Sequence, residues 1–353
     1  MNINNKTQMA NIRRCTNCIL SENFPGIKFD EQGVCNFCTD ELFHMTSPDI
    51  MEKARSRIAE LLEEKKGRSA YDAILCYSGG KDSSYLMKLA IEKYKLKVFS
   101  FTLDNGFISP AAFRNIERIV SRLGVDHVIY RPSYLFMKEL FRVSTTENIY
   151  NPRTMVRISS GCNSCITIIN TTALRYALEK EAPFILTGFN LGQIPANTIY
   201  FENNYEFFRE SRKPVLDKLK SLLGPDVEKY MEIPDSLLRK SDFYPYNINL
   251  LTLEDISEHE IIEQIKPLGW IEPEDVDGCS TNCIINCFNK FVHQQRYGYS
   301  PYELELSYLI RKSLLTRDEA IRKCEDQPAK QIEYVSKELG FDVSHLTMSL
   351  PGL

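Results

Sequence analysis

The chain has 353 residues, 43% of them hydrophobic and 25% charged, enough for one large core with smaller modules attached. A formal net charge of −4 and a pI near 5.9 exclude an overall basic field, so nucleic acid could be drawn only to a local groove. No apolar run reaches the ~18 residues that cross a bilayer, and the opening MNINNKTQMANIRR lacks the apolar segment of a signal peptide. The expected location is therefore the cytoplasm, with no membrane partner. There the eleven cysteines are poor material for disulfides and good material for metal ligation or sulfur chemistry.

In chain order, residues 10–45 are cysteine-punctuated and turn-rich, reading as a small metal-held module. Residues 46–70 carry a connecting helix: Ser47-Pro48 is a start signal, and Ile50, Ala54, Ile58 and Leu61 recur at helical spacing until Gly67. From Tyr71, short apolar runs alternate with amphipathic stretches: AILCY, YLMKLAIEKY, KVFSFTLD, AAFRNIERIVSRLG and DHVIYRP, then CITIINTTALRYALEKE and PFILTGFN. That alternation predicts parallel βαβ units, hence an α/β fold with a doubly wound parallel sheet over residues 71–200. Residues 201–353 read as an appended, mainly helical region that contributes cysteines to the site.

The loop SGGKDSS, Ser78–Ser84, joins the first strand to a helix with Leu86, Leu89 and Ala90 on one face. Gly79 and Gly80 let an anion approach the backbone, Ser78, Ser83 and Ser84 offer hydroxyls, and the helix dipole favours negative charge there. Lys81 adds a full positive charge, and a lysine aimed into a glycine loop serves little structural purpose. The spacing is neither that of a Walker A loop nor that of a dinucleotide-binding turn.

SGGKDS at the end of the first strand resembles the loop of the PP-loop ATP pyrophosphatases, which holds the pyrophosphate released when ATP adenylates an oxygen. The resemblance extends to LDNG, with Asp104 beside the adenosine, and to TGFN, with Gly188, after the fourth strand. It covers about residues 70 to 195. It implies ATP and Mg2+ as cofactors, Ser78, Gly79, Gly80, Lys81, Asp82, Ser83, Ser84, Asp104 and Gly188 as nucleotide contacts, and Lys81 and Asp82 as catalytic groups. Members that modify RNA carry a His and an acid in the third motif. Phe189 and Gln193 stand there instead, which leaves magnesium to Asp82 or to residues outside the motifs.

Two sets of cysteines bear on the nucleophile. Cys15 and Cys18 with Cys35 and Cys38 form two C-x-x-C knuckles, the pattern of a closed, structural zinc site. The surrounding sequence also resembles the N-terminal ribbon of the N-acetyl sugar amidotransferases, and LIRKSLLTRDEAI resembles their C-terminal segment. The second set is Cys162 and Cys165 with Cys279, Cys283 and Cys287. Two cysteines at C-x-x-C plus a distant third resemble the PP-loop tRNA thiolases, which implies a 4Fe-4S cluster on Cys162, Cys165 and Cys283 and a catalytic role for Cys283. A helix spanning 279–287 would place all three late cysteines on one face. A second zinc site, inert thiols and a cluster-free persulfide cycle are the competing readings.

The expected function is an ATP-dependent sulfurtransferase that adenylates a substrate carbonyl and replaces its oxygen with sulfur. The substrate is expected to be a small molecule such as a nucleobase or nucleotide, with tRNA as the alternative. A cysteine desulfurase, persulfide or sulfide would donate the sulfur, and the resemblance implies a homodimer. The alternative is a sugar amidotransferase using ammonia from a glutaminase partner, which leaves five cysteines without a role. Arg153 and Arg157 are either substrate contacts or a solvated face; Cys76 and His127 read as strand residues, and Cys324 has no partner nearby in sequence.

Overall fold

The computed structural model describes residues 12–39, 48–190, 192–239 and 243–342. Parts of the expected 10–45 module, the expected cap at Ser47 and the chain's last eleven residues lie outside them. Among the described residues one six-stranded sheet is built from β1 (Ala73–Cys76), β2 (Val98–Leu103), β3 (Asp126–Tyr130), β4 (Phe184–Leu186), β5 (Tyr200–Glu202) and β6 (Tyr246–Ile248). Their order is β3-β2-β1-β4-β6-β5, all parallel except β5, which runs antiparallel to β6 at the edge. Past residue 200 the chain thus still adds to the sheet before it turns to helices. The strands YFE and YNI are too short for their periodicity to announce them.

The helices used below are α1 (Pro48–Lys65), α2 (Lys81–Lys88), α3 (Pro110–Leu123), α4 (Tyr134–Thr146) and α5 (Ser160–Glu179), then α6 (Glu258–Ile265), α7 (Ile285–Tyr297), α8 (Glu303–Arg311), α9 (Arg317–Glu325) and α10 (Ala329–Leu339). Alternation along β1 explains the layers. Ala73 and Leu75 pack with Ile58 and Leu61 of α1, Leu86 of α2 and Ile116 of α3, while Ile74 packs with Ala173, Leu174 and Ala177 of α5. With both faces covered, β1 and β4 are apolar throughout, as central parallel strands are.

The chain runs β1, β2, β3 outward and then returns to set β4 on the other side of β1. A crevice opens outside the carboxyl ends of strands at such a reversal. The loops after β1, β2 and β4, which hold SGGKDSS, LDNG and TGFN, all leave the sheet there. No helix among the described residues is long and apolar enough to cross a membrane.

The cysteine module docks on the C-terminal helices. Glu303 of α8, 1% exposed, takes Arg14 Nη1 at 3.2 Å and both the amide and hydroxyl of Ser21 at 2.9 Å. Arg317, opening α9, donates to the carbonyls of Cys18 and Cys15 at 3.0 and 3.2 Å. Phe24 meets Phe37 and Tyr299 edge-on at 5.4 and 5.3 Å, closing the joint with apolar surface.

Candidate active site

The phosphate loop is preformed. Gly79 has φ +74°, and a Cβ there would lie 2.5 Å from the Ala112 carbonyl oxygen of α3, so only glycine fits. Trp270 Nε1 donates to the Gly79 carbonyl at 3.1 Å, and Ser78 Oγ and Ser83 Oγ share a 2.9 Å hydrogen bond across the loop. Gly80 caps α2, leaving the first helical amides pointed into the crevice. After β4, Gly188 lies so close to α2 that a Cβ would sit 3.3 Å from Ser83 Cα. Gly188 therefore lets two loops meet over the crevice.

Lys81 Nζ is 2.9 Å from Asp82 Oδ2 and 3.6 Å from Glu258 Oε2, with only 12% of its side chain exposed. Burial works against its charge, but Asp82 and Glu258 outweigh it and hold the ammonium above the ordinary lysine range. Lys323 of α9 steadies the second carboxylate, donating to Glu258 Oε1 at 3.0 Å. A further carboxyl, Glu305, reaches this group from α8 and interacts with Lys81 and Asp82.

Asp104 is buried, accepts the Gly106 amide at 2.9 Å and pairs with Arg131. The two residues line a cleft of about 270 Å³ with Gly106, Ile108, Pro132 and Tyr134. The cleft lies at the carboxyl ends of β2 and β3.

The cysteines separate by geometry. In the ribbon, Cys18 Sγ to Cys35 Sγ is 3.7 Å, Cys35 Sγ to Cys38 Sγ 3.7 Å and Cys15 Sγ to Cys38 Sγ 3.9 Å. Metal–sulfur bonds of about 2.3 Å in a tetrahedron space their sulfurs about 3.8 Å apart, so the four residues fit one ion of zinc's size. Among the described residues they are the only His, Cys, Asp or Glu set gathered this tightly.

The second set is looser and faces the crevice. Asn105 Nδ2 lies 3.4 Å from Cys283 Sγ and 3.7 Å from Cys165 Sγ, bringing those two thiols to one amide. Cys162, a turn earlier on α5, receives Asn289 Nδ2 at 3.4 Å and lies 3.5 Å from Asn286 Oδ1. Two side-chain amides, Asn105 and Asn289, thus reach the three thiols from the loop after β2 and from α7. Burial raises all three thiols, Cys283 to about 12, so they are neutral near physiological pH.

The expected single helix face of late cysteines does not form, because α7 begins only at Ile285. Asp277 accepts the Cys279 and Ser280 amides at 2.7 and 3.1 Å and so holds this segment as a turn ahead of α7. Cys279 turns to the Lys323 carbonyl at 3.3 Å, and Cys287 is fully buried in the apolar cluster against which Cys165 and Cys283 pack. Cys283 alone of the three pairs with the loop after β2, through the bridge to Ile108.

The same loop touches the phosphate cradle. Thr281 Oγ1 accepts the Lys81 amide at 3.0 Å, the place a phosphate oxygen would take at the start of α2. Thr281→Val should therefore bind α,β-methylene ATP about fivefold more tightly, since phosphate no longer displaces a hydrogen bond of about 1 kcal/mol. Titration calorimetry reads this directly; an unchanged or weaker affinity would show that the hydroxyl does not compete.

Arg157 donates to the Gly192 carbonyl at 2.8 Å and so anchors the loop after β4, whereas Arg153 is exposed. His127 lies in β3 as read, between Ser100 Oγ and Thr102 Oγ1, with burial lowering it to about 4. Cys76 lies in β1 and Cys324 is buried in α9. Sequence reading missed Thr281, Glu258, Glu305 and Asn105. Asn105 lies inside LDNG and Thr281 between Cys279 and Cys283, so both were within reach; Glu258 and Glu305 come from helices that no motif marks.

No family model matches the chain. An uncharacterized protein of Methanocaldococcus jannaschii is 24% identical over 315 residues, 88% of this chain and 93% of that one. Similar solved structures include the U34-tRNA thiolase of Methanococcus maripaludis with its 4Fe-4S cluster, at 16% identity and TM-score 0.33, covering 96% of this chain and 97% of that chain. The NH3-dependent NAD synthetase of Campylobacter jejuni is 17% identical, TM-score 0.34, covering 86% and 98%. The NMN synthetase of Francisella tularensis is 10% identical, TM-score 0.35, covering 87% and 98%.

Proposed function

We propose that the chain is an ATP-dependent sulfurtransferase of the PP-loop type. One juxtaposition carries the reading: residues 281–283 set Thr281 on the phosphate-loop amide of Lys81 and Cys283 on the amide of Asn105 beside Cys165. Nucleotide cradle and thiols therefore share one crevice. A substrate carbonyl oxygen attacks the α-phosphorus of ATP, pyrophosphate leaves into the Ser78–Ser84 loop, and a sulfur nucleophile then displaces AMP from the same carbon to leave a thiocarbonyl. Lys81 and the amides at the start of α2 hold the leaving pyrophosphate, with Mg2+ as the expected companion of the nucleotide. The Asp104 cleft holds the nucleoside. A 4Fe-4S cluster, when bound by Cys162, Cys165 and Cys283, would supply an iron open to sulfide. The ribbon site takes a structural zinc.

The substrate we favour is a lactam carbonyl, as in a nucleobase or nucleotide, since the described residues show no separate RNA-binding module. The test is anaerobic purification with iron, zinc and acid-labile sulfide analysis, repeated on the Cys162→Ala, Cys165→Ala, Cys283→Ala variant. About four irons and four sulfides beside one zinc are expected, with iron and sulfide lost and zinc kept in the variant. Zinc alone in both proteins would end the cluster reading and turn the choice to ammonia transfer onto an N-acetyl sugar or to a persulfide cycle.

A further inference from the structure

We infer that Glu305 is the catalytic base of the activation step, accepting the substrate's lactam N–H proton from a helix far along the chain; this rests on the adenylation chemistry proposed above. The loop after β4 supplies no acid of its own, since Phe189 and Gln193 stand where an acid or a histidine would serve. The structure brings one in from outside. Gly192 sits so close to α8 that a Cβ there would lie 3.0 Å from Glu305 Cα and 3.1 Å from Tyr308 Cβ, pressing the Glu305 turn onto the loop.

Asn190 and Gln193 of this loop are arranged to meet the carboxyl. The Asn190 amide donates to Gln193 Oε1 at 3.0 Å, which leaves the Gln193 NH2 to donate outward. Both Asn190 and Gln193 side chains interact with Glu305. Its charge also interacts with Lys81 and Asp82 of the phosphate loop. Glu258 lies behind Lys81 and Lys323 behind Glu258, while Tyr302 and Cys279 also feel the Glu305 charge. Glu305 thus packs against the β4 loop and lies within electrostatic range of the phosphate loop, so a substrate held between those two loops would meet its carboxyl.

The other carboxyls of the group are engaged. Asp82 holds Lys81, and Glu258 is shared between Lys81 and Lys323. Burial raises Glu305 to about 7, with Lys81 working against that rise and Asp82 adding to it. A base poised there accepts a proton without giving up its charge to a cation at neutral pH. In the step itself the N–H proton passes to the Glu305 carboxylate, the N–H electron pair forms C=N, and the former carbonyl oxygen bonds to the α-phosphorus as the bond to pyrophosphate breaks. The proton rests on Glu305 and the charge leaves with pyrophosphate.

The test uses the whole chain and two readouts, on wild type, Glu305→Gln and Glu305→Asp, with metal content and unfolding temperature confirming the fold. The first is calorimetric affinity for Mg·α,β-methylene ATP at about pH 6 and 8.5. Wild type should bind about tenfold more weakly at the higher pH, where Glu305 faces the phosphates ionised, and Glu305→Gln should lose that difference. The second is AMP release with sulfide and, as probes, uracil, guanine, hypoxanthine and bulk tRNA. Glu305→Gln should lower kcat about a hundredfold, leave KM for ATP unchanged at about pH 6 and flatten the acid limb of the pH profile, with Glu305→Asp between. Wild-type turnover in Glu305→Gln, or an equal loss of nucleotide affinity at both pH values, overturns the role of Glu305 and leaves adenylation standing. Failure of wild type to bind the nucleotide or to release AMP with any probe overturns adenylation, and this role with it.

Discussion

Lys81→Met is expected to lower AMP formation by about 10³-fold or more, the scale on which a single cation acts at a transferring phosphoryl group. Methionine keeps the apolar stem and removes only the charge. What remains is a crevice in which Asp82, Glu258 and Glu305 face an anionic ligand, with Lys323 already committed to Glu258. Stability should fall as well, by about 3 kcal/mol, because a mostly buried cation is withdrawn from partners it leaves uncompensated. Thermal unfolding separates that loss from catalysis: Lys81→Arg keeps the charge and should recover most of the stability but less of the rate, since the guanidinium fork does not fit a point-charge site. The pH dependence follows from the sign of the shift. With Lys81 raised above its ordinary value, its contribution is complete below the unfolded lysine range and fades only as pH climbs through its folded value. From about pH 6 to 9 Lys81 stays charged, so an activity limb in that window belongs to another group. A wild-type rate in Lys81→Met would remove the phosphate cradle from the mechanism.

How much of this was legible in the sequence depends on how local the cause is. β1, β2 and β4 announced themselves because central parallel strands are buried on both faces and read as apolar runs, and α2, α3 and α5 because one helix face must be apolar. The Ser78–Ser84 loop was legible because its glycines and hydroxyls answer to backbone geometry within seven residues. The ribbon was legible because C-x-x-C spacing is itself the ligand geometry. β5 and β6 were not, since three residues each carry no period. Nor was the partner of the β4 loop: whether Glu305 or another carboxyl reaches Gln193 is decided by where α8 packs, and α8 packs where the ribbon and α9 hold it. Cys283 was singled out in sequence from Cys279 and Cys287 without a local reason. In the structure Cys283 differs from the other two in its antiparallel bridge to Ile108, a contact 175 positions away in the chain that no local pattern announces.

That dependence of α8 on the ribbon leads to the other large effect. Cys35→Ala is expected to empty the zinc site, lower the unfolding temperature by several degrees or more and depress AMP formation, although Cys35 lies outside the crevice. Residues 12–39 are too few to hold a core alone. The three sulfurs that remain, Cys15, Cys18 and Cys38, are no longer drawn together by an ion, and the two knuckles are free to part. The loosened ribbon then withdraws Arg14 and Ser21 from Glu303, leaving a carboxylate that is 1% exposed with few partners. Stranding a buried charge costs about 3–5 kcal/mol, so α8 shifts rather than bear it. Two residues on, Glu305 lies on the far side of the same helical turn and moves with it away from Lys81 and the β4 loop. Arg14→Ala separates the links: it spares the ribbon sulfurs, so zinc should remain while AMP formation still falls. Zinc-free Cys35→Ala protein with wild-type turnover would mean that α8 stands by itself and the ribbon serves some surface other than the crevice.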